Sequence, residues 1–213
     1  MSELTFSAVG SRVELYAAVP TLSLRVRIEE STGEAIHAIA LRAQVQIEPR
    51  RRAYSKEEET PLLELFGDRR RWADTQKTLL LAQVTTMVPG FTGSVEIDLP
   101  IVCTYDFEVA AAKYLNALAG GEVPLLVLFS GTLFVKRPEG FGVEQVPWEK
   151  EAAFRLPVSV WKETMDRFFP GCAWLRLRKE SFDALYRFKA ERGLPTWEQT
   201  VEALLAEATQ RVS

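Results

Sequence analysis

Leu22-Ser23-Leu24-Arg25-Val26-Arg27-Ile28 alternates apolar with polar side chains. A second such run, Ile39-Ala40-Leu41-Arg42-Ala43-Gln44-Val45-Gln46-Ile47, follows the turn residues Ser31-Thr32-Gly33. Successive side chains of a strand point to opposite faces, so period-two alternation marks a strand with one buried and one wet face. Joined by so short a turn region, the two runs predict one long β-hairpin. Further strands are expected at Thr78–Val88, which ends in Val88-Pro89-Gly90-Phe91-Thr92-Gly93, and at Ser94–Val102, where Val95, Ile97 and Leu99 alternate with Glu96 and Asp98. Pro124–Val135 is more uniformly apolar, the mark of a strand covered on both faces, and Ala152–Leu156 is a last short one.

Two helical interruptions fall among these strands. Ser55-Lys56-Glu57-Glu58 has the spacing of a capping box, and Gly67 after Phe66 is a natural stop. Pro61 leaves a second start open, with Thr60 as cap and Pro61 in the first helical position. Ala110-Ala111-Ala112-Lys113-Tyr114-Leu115 is rich in helix formers and ends at Gly120-Gly121; a short helix is favoured over a strand running on through Phe107 and Val109. After Pro157 the period becomes helical. Trp161, Met165 and Phe168 or Phe169 share one face before Pro170-Gly171, and Phe182, Leu185 and Phe188 share another before Gly193 and Pro195. Thr196-Trp197-Glu198-Gln199 opens a last helix with Trp197, Val201, Leu204, Leu205 and Ala208 expected inward.

Strands separated by Gly/Pro turns and followed by helices predict an α+β fold: an antiparallel β-sandwich or strongly bent sheet with C-terminal helices on one face or end. Residues 1–156 are expected to form the β-rich domain, with a helical insertion near 55–75. Residues 157–213 are expected to form a helical segment packed on it.

Composition limits the chemistry. The 213 residues hold one histidine, His37, and two cysteines, Cys103 and Cys172. A multi-histidine zinc site or an iron–sulfur cluster lacks its parts, a histidine-dependent triad would have to rest on His37 alone and is close to excluded, and no cofactor is expected. A net charge of −3 and a pI near 5.5 argue against a general nucleic-acid binder. No run approaches the roughly 18 apolar residues of a membrane span, and the first residues lack the pattern of a signal peptide. Cytoplasmic residence with both thiols reduced is the expectation.

Four features invite a functional reading. Arg50-Arg51-Arg52 and Arg69-Arg70-Arg71-Trp72 bracket the acidic Glu57-Glu58-Glu59; with Tyr54 they could clamp phosphates or stack on a base, or they could simply neutralise the acidic segment between them. Glu96/Asp98 and Asp106/Glu108 each share a strand face, as paired carboxylates of a hydrolase would and as any solvated strand does. His37 has no Ser or Cys placed to serve as its nucleophile, and reads as structural or solvated. Phe129-Ser130-Gly131-Thr132 lacks the second glycine of a nucleophile elbow, so Ser130 reads as an ordinary strand residue. Gly140-Phe141-Gly142 is no dinucleotide fingerprint and falls in a hairpin-like loop after Val135.

Several blocks carry a family resemblance: Met87-Val88-Pro89-Gly90-Phe91-Thr92-Gly93, Thr104-Tyr105-Asp106-Phe107-Glu108 running on through Leu115, Pro124 through Phe134, Val146-Pro147-Trp148, and Gly193-Leu194-Pro195-Thr196-Trp197. Together they resemble an uncharacterised bacterial family, common in actinobacteria, over nearly the whole chain. The resemblance implies a gene neighbourhood that includes nickel–iron hydrogenase genes. The resemblance implies a stand-alone domain and points to an accessory role in assembling a redox enzyme; it carries over no functional residue.

The expected function is therefore a non-catalytic binding or assembly module with a protein partner, a second copy of the chain being one candidate. A hydrolase built on Asp98, Asp106 and Glu108 is the first alternative. Phosphate or nucleic-acid binding through Arg50–Arg52 and Arg69–Arg71 is the second.

Overall fold

The computed structural model describes residues 2–104, 109–137, 140–172 and 176–212. In chain order its strands are β1 (Leu4–Val13), β2 (Thr21–Glu30), β3 (Ile36–Ile47), β4 (Leu79–Val88), β5 (Ser94–Val102), β6 (Glu122–Arg137), β7 (Gly140–Val146) and β8 (Glu151–Pro157). The helices are α1 (Lys56–Phe66), α2 (Trp72–Thr75), α3 (Ala110–Asn116), α4 (Val158–Phe168), α5 (Lys179–Glu191) and α6 (Trp197–Val212). Two antiparallel sheets result: sheet A in the order β1-β2-β5, and sheet B in the order β4-β3-β6-β7 with β8 also on β6. The α+β class predicted from the pattern is correct.

The hairpin is not. β2 and β3 are strands with the expected buried sets, but they do not pair with each other. β2 lies between β1 and β5, and β3 between β4 and β6, so each has both edges taken. The segment between them is an arch from one sheet to the other. Its anchor is Glu30, buried at the end of β2, whose carboxylate accepts the Thr32 hydroxyl and the backbone N–H groups of Thr32 (3.0 Å) and Gly33 (2.8 Å). Gly33 takes φ +83° there, a conformation in which a Cβ would be strained. In a sandwich both strands turn their apolar face to a common core, so alternation reads the same for an arch as for a hairpin.

That core joins both sheets. Leu22, Leu24, Val26 and Ile28 of β2 are fully buried, as are Ile39, Leu41, Val45 and Ile47 of β3. Phe6 of β1 stacks on Phe129 of β6, ring centroids 4.3 Å apart and planes 18° from parallel. α4 closes against β1, β2 and β8 with Val158, Trp161 and Met165 buried.

Two strand expectations change. β6 is not covered on both faces: Val123, Leu125, Val127 and Phe129 are buried, while on the other face Leu126, Leu128 and Thr132 are half-buried and Ser130 is exposed. The Gly-rich stretch placed in a loop is β7, paired with Gly131–Arg137 of β6. Glycines 140 and 142 weaken a strand signal, but the long edge of β6 supplies a partner.

The capping box starts α1. Ser55 Oγ accepts from the Glu58 N–H at 3.3 Å and Glu58 accepts from the Ser55 N–H at 3.0 Å, leaving Pro61 inside the helix. α3 is a helix, with Ala111, Ala112, Tyr114 and Leu115 buried.

The chain divides into two compact units, Met1–Ala173 and Trp174–Ser213. Within the second, Trp197 lies 5.2 Å from Phe182 and 6.2 Å from Tyr186, ring centre to ring centre. Lys189 donates to the carbonyls of Leu194 (2.6 Å) and Pro195 (3.0 Å), and Arg192 pairs with Glu207. Trp197, Val201 and Leu205, expected inward, are exposed.

Candidate functional site

The outer faces of the two sheets carry arginines in opposite circumstances. On sheet A, β2 and β5 set Arg25 directly opposite Asp98 and Arg27 opposite Glu96. Arg25 Nε donates to Asp98 at 3.1 Å, Arg27 Nη2 to Glu96 at 2.6 Å, and Arg12 of β1 reaches Asp98 at 3.1 Å. The Arg25 hydrogen bond, seconded by the charge of Arg12, holds the Asp98 carboxyl below the usual aspartate range. That is an ionised surface carboxylate in a cross-strand ladder. Asp106 and Glu108 lie outside the described residues.

On sheet B the outward side chains of three adjacent strands form two transverse rows. Register places Arg42 of β3 between Thr85 of β4 and Ser130 of β6, and Gln44 between Gln83 and Leu128. Neighbouring strands stand about 4.8 Å apart, and the rows, two residues along β3, about 6.7 Å apart. β7 and β8 both pair with the remaining edge of β6, and the turn joining them, Pro147–Lys150, ties back through Phe129 N–H to the Lys150 carbonyl at 2.8 Å. This turn carries Trp148, which is 89% exposed. Arg42, Gln44, Gln83, Thr85, Leu128, Ser130 and Trp148 line a groove of about 450 Å³, within the range of small-ligand sites.

Arg42 is exposed and forms no ion pair among the described residues. Its strand neighbours are two hydroxyls, not carboxylates. A guanidinium left unpaired amid amide and hydroxyl groups presents five donors to an incoming acceptor. The groove's lining holds no nucleophile–base pair and no carboxylate. Among the described residues no group of three or more His, Cys, Asp or Glu side chains could hold a metal ion, and no helix is long and apolar enough to cross a membrane.

The arginine triplets lie elsewhere. Arg52 is half-buried against Glu58, Nη2 to Oε1 at 2.7 Å and Nη1 to Oε2 at 2.9 Å, and also donates to the carbonyls of Gly120 (2.6 Å) and Glu122 (3.1 Å). Burial pushes the Glu58 carboxyl up, but the Arg52 hydrogen bonds and the N–H groups of Ser55 and Ala119 outweigh it and bring it down to about 2. Arg51 pairs with Glu48, Arg69 with Glu59 and Arg70 with Asp68, while Arg50 and Arg71 are exposed. Trp72 is buried; its indole N–H donates to the Gly67 carbonyl at 2.8 Å, and Arg69 lies 4.4 Å over its ring. Tyr54 joins Tyr114 through their hydroxyls at 2.8 Å; burial raises both phenols. Tyr54, Phe66, Trp72 and Tyr114 meet edge to face, with centroids between 5.3 Å and 6.3 Å apart. The structure thus brings Arg52, Arg69, Tyr54 and Trp72 together around the α1 acidic segment. His37 is exposed near the start of β3, and Ser130 is a strand residue of the sheet B face.

Sequence reading missed Arg42, Gln44, Gln83 and Trp148 as a group. Arg42 and Gln44 were visible as the polar half of an alternating run, but which strands flank that run is a matter of sheet order. Trp148, an aromatic between Pro147 and Glu149-Lys150, was the available signal.

No curated protein matches the chain. Among solved structures it is similar to the ApaA protein of Bordetella pertussis, with 11% identity, 73% of this chain and 93% of that one covered, and a TM-score of 0.30. It is also similar to parts of beta-glucosidase 3B from Thermotoga neapolitana (17% identity, 72% and 17% covered, TM-score 0.26) and of a Kluyveromyces marxianus beta-glucosidase (11% identity, 73% and 15% covered, TM-score 0.24). Likenesses this distant carry no argument about function. Residues 1–213 match the model of a family of unknown function, DUF6084, and the protein belongs to that family.

Proposed function

We propose that this chain is a non-catalytic binding module of the cytoplasm, that it works through a protein partner, and that the outer face of sheet B is its recognition surface. One observation carries the reading: the arginines of the sheet A face are matched to carboxylates, whereas Arg42 of sheet B has no ion pair among the described residues and stands in a groove beside Trp148; Arg155 of β8, also exposed and without an ion pair among them, does not line that groove. Tryptophan and arginine are among the side chains that most often anchor binding. The sequence resemblance supports a redox enzyme of the hydrogenase type as the client.

The test is affinity purification from the native host with three baits: wild type, the double variant Arg42→Gln/Trp148→Ala, and Arg25→Gln on the opposite face. Partners enriched by wild type should be lost with the double variant and kept with Arg25→Gln. An identical set of proteins on all three baits would refute the assignment of this face. Hydrogenase subunits among the groove-dependent partners would identify the client.

A further inference from the structure

Resting on the reading of the sheet B groove as a recognition surface, we infer that its ligand is an extended peptide segment of a partner protein carrying one acidic residue two positions from an apolar one. Three features of the groove converge on that chemistry.

The first is charge. Arg42 offers a guanidinium with no ion pair among the described residues, flanked across the strands by the hydroxyls of Thr85 and Ser130. A carboxylate set there takes two parallel N–H bonds and further donors from the hydroxyls. A phosphate backbone calls for several cations, and the groove lining holds only one. Glu149 and Glu151 follow Trp148 along the chain, on either side of Lys150, and Glu151 sits opposite Leu128 in the register. They disfavour a run of acids, so a single carboxylate fits best.

The second is spacing. The Arg42 and Gln44 rows are two strand residues apart, about 6.7 Å. Side chains i and i+2 of an extended peptide share one face with the same separation. An acidic side chain over the first row therefore places the next same-face side chain over the second, where Leu128 supplies apolar surface in the groove that Trp148 also lines.

The third is the pair of amides. Gln44 and Gln83 are cross-strand neighbours, and each carries both donors and an acceptor. A peptide lying on the face of a sheet cannot use that sheet's own backbone groups, which are already paired. Side-chain amides supply the missing partners for its N–H and C=O groups.

A positional-scanning array of N-acetylated, C-amidated octapeptides tests this, each position fixed in turn as Glu, Gln, Lys or Leu. It is probed with the full-length chain and with its Arg42→Gln and Trp148→Ala variants, beside an oligosaccharide array. Both replaced side chains are exposed, and unchanged melting curves establish that the variants are folded. Retention should concentrate on peptides with Glu two positions from Leu and fall at least ten-fold with Arg42→Gln. Trp148→Ala should erase the Leu preference. Equal retention of Glu and Gln peptides, or an acid preference that survives Arg42→Gln, overturns the inference. If oligosaccharides are retained through Trp148 while no peptide is, the groove is a recognition surface for another ligand and only this inference fails. If neither variant changes anything that wild type retains, the recognition surface itself is misassigned.

Discussion

Arg52 and Glu58 form a two-toothed ion pair, 2.7 Å and 2.9 Å, with side chains only 9% and 4% exposed. It ties the segment before α1 to the helix itself, and through Gly120 O and Ala119 N to the loop after α3. Every lone pair of the carboxylate that faces the protein has a donor, which is the condition for a buried pair to be tolerated. The Glu58 carboxyl falls from an ordinary 4.5 to about 2. A carboxyl lowered by folding stabilises above its unfolded value, and that contribution is lost as pH drops through the folded one. Glu58→Gln should cost on the order of 2–3 kcal/mol at pH 7. Urea unfolding of both proteins should show the gap shrinking between pH 4.5 and pH 2; a gap independent of pH would mean Glu58 is not held ionised.

Phe129 should be the costliest single truncation in the sandwich core. Its ring is 1% exposed and bridges the sheets through Phe6. Phe129→Ala should lose about 3–5 kcal/mol, and Phe6→Ala in the same background should add less than it costs alone. Strict additivity of the two would show that the stacking contributes nothing beyond area.

Gly131 permits β3 and β6 to approach. A Cβ there would stand 2.2 Å from the Ala40 carbonyl oxygen, on backbone with φ +152°. Backbone cannot yield as a side-chain tip does, so Gly131→Ala should lower stability by roughly 2 kcal/mol or more. Circular dichroism melting decides it. An unchanged midpoint would show that the strands part without penalty.

The two thiols should react unequally. Cys103 is buried and burial pushes its thiol up to about 12, whereas Cys172 is exposed. Only a thiolate attacks an aromatic disulfide reagent at useful speed. One thiol per native chain should titrate at pH 8 and the second only in denaturant, with Cys172→Ser abolishing the native signal. Rapid modification of both would contradict the packing of Cys103 behind β5.

The sequence by itself determined β2 to β6, β8, the cap of α1 and the turn glycines, because those follow from local rules, whereas β1 and β7 it did not mark. Alternation at Leu22–Ile28 and Ile39–Ile47 reports one covered face; Ser55 with Glu58 closes a helix start within a single turn; the composition denies the chain a multi-histidine metal site. Each signal acts over a few residues and survives whatever surrounds it. Sheet membership is different. Whether Ser31–Ala35 is a hairpin turn or an arch, whether Glu58 meets Arg52, and whether Arg42 shares a face with Gln83, Ser130 and Trp148 depend on which distant strands win the edges of β2, β3 and β6. That competition is settled by burying all the apolar faces in one core at once, a property of the assembled tertiary structure that no short window contains.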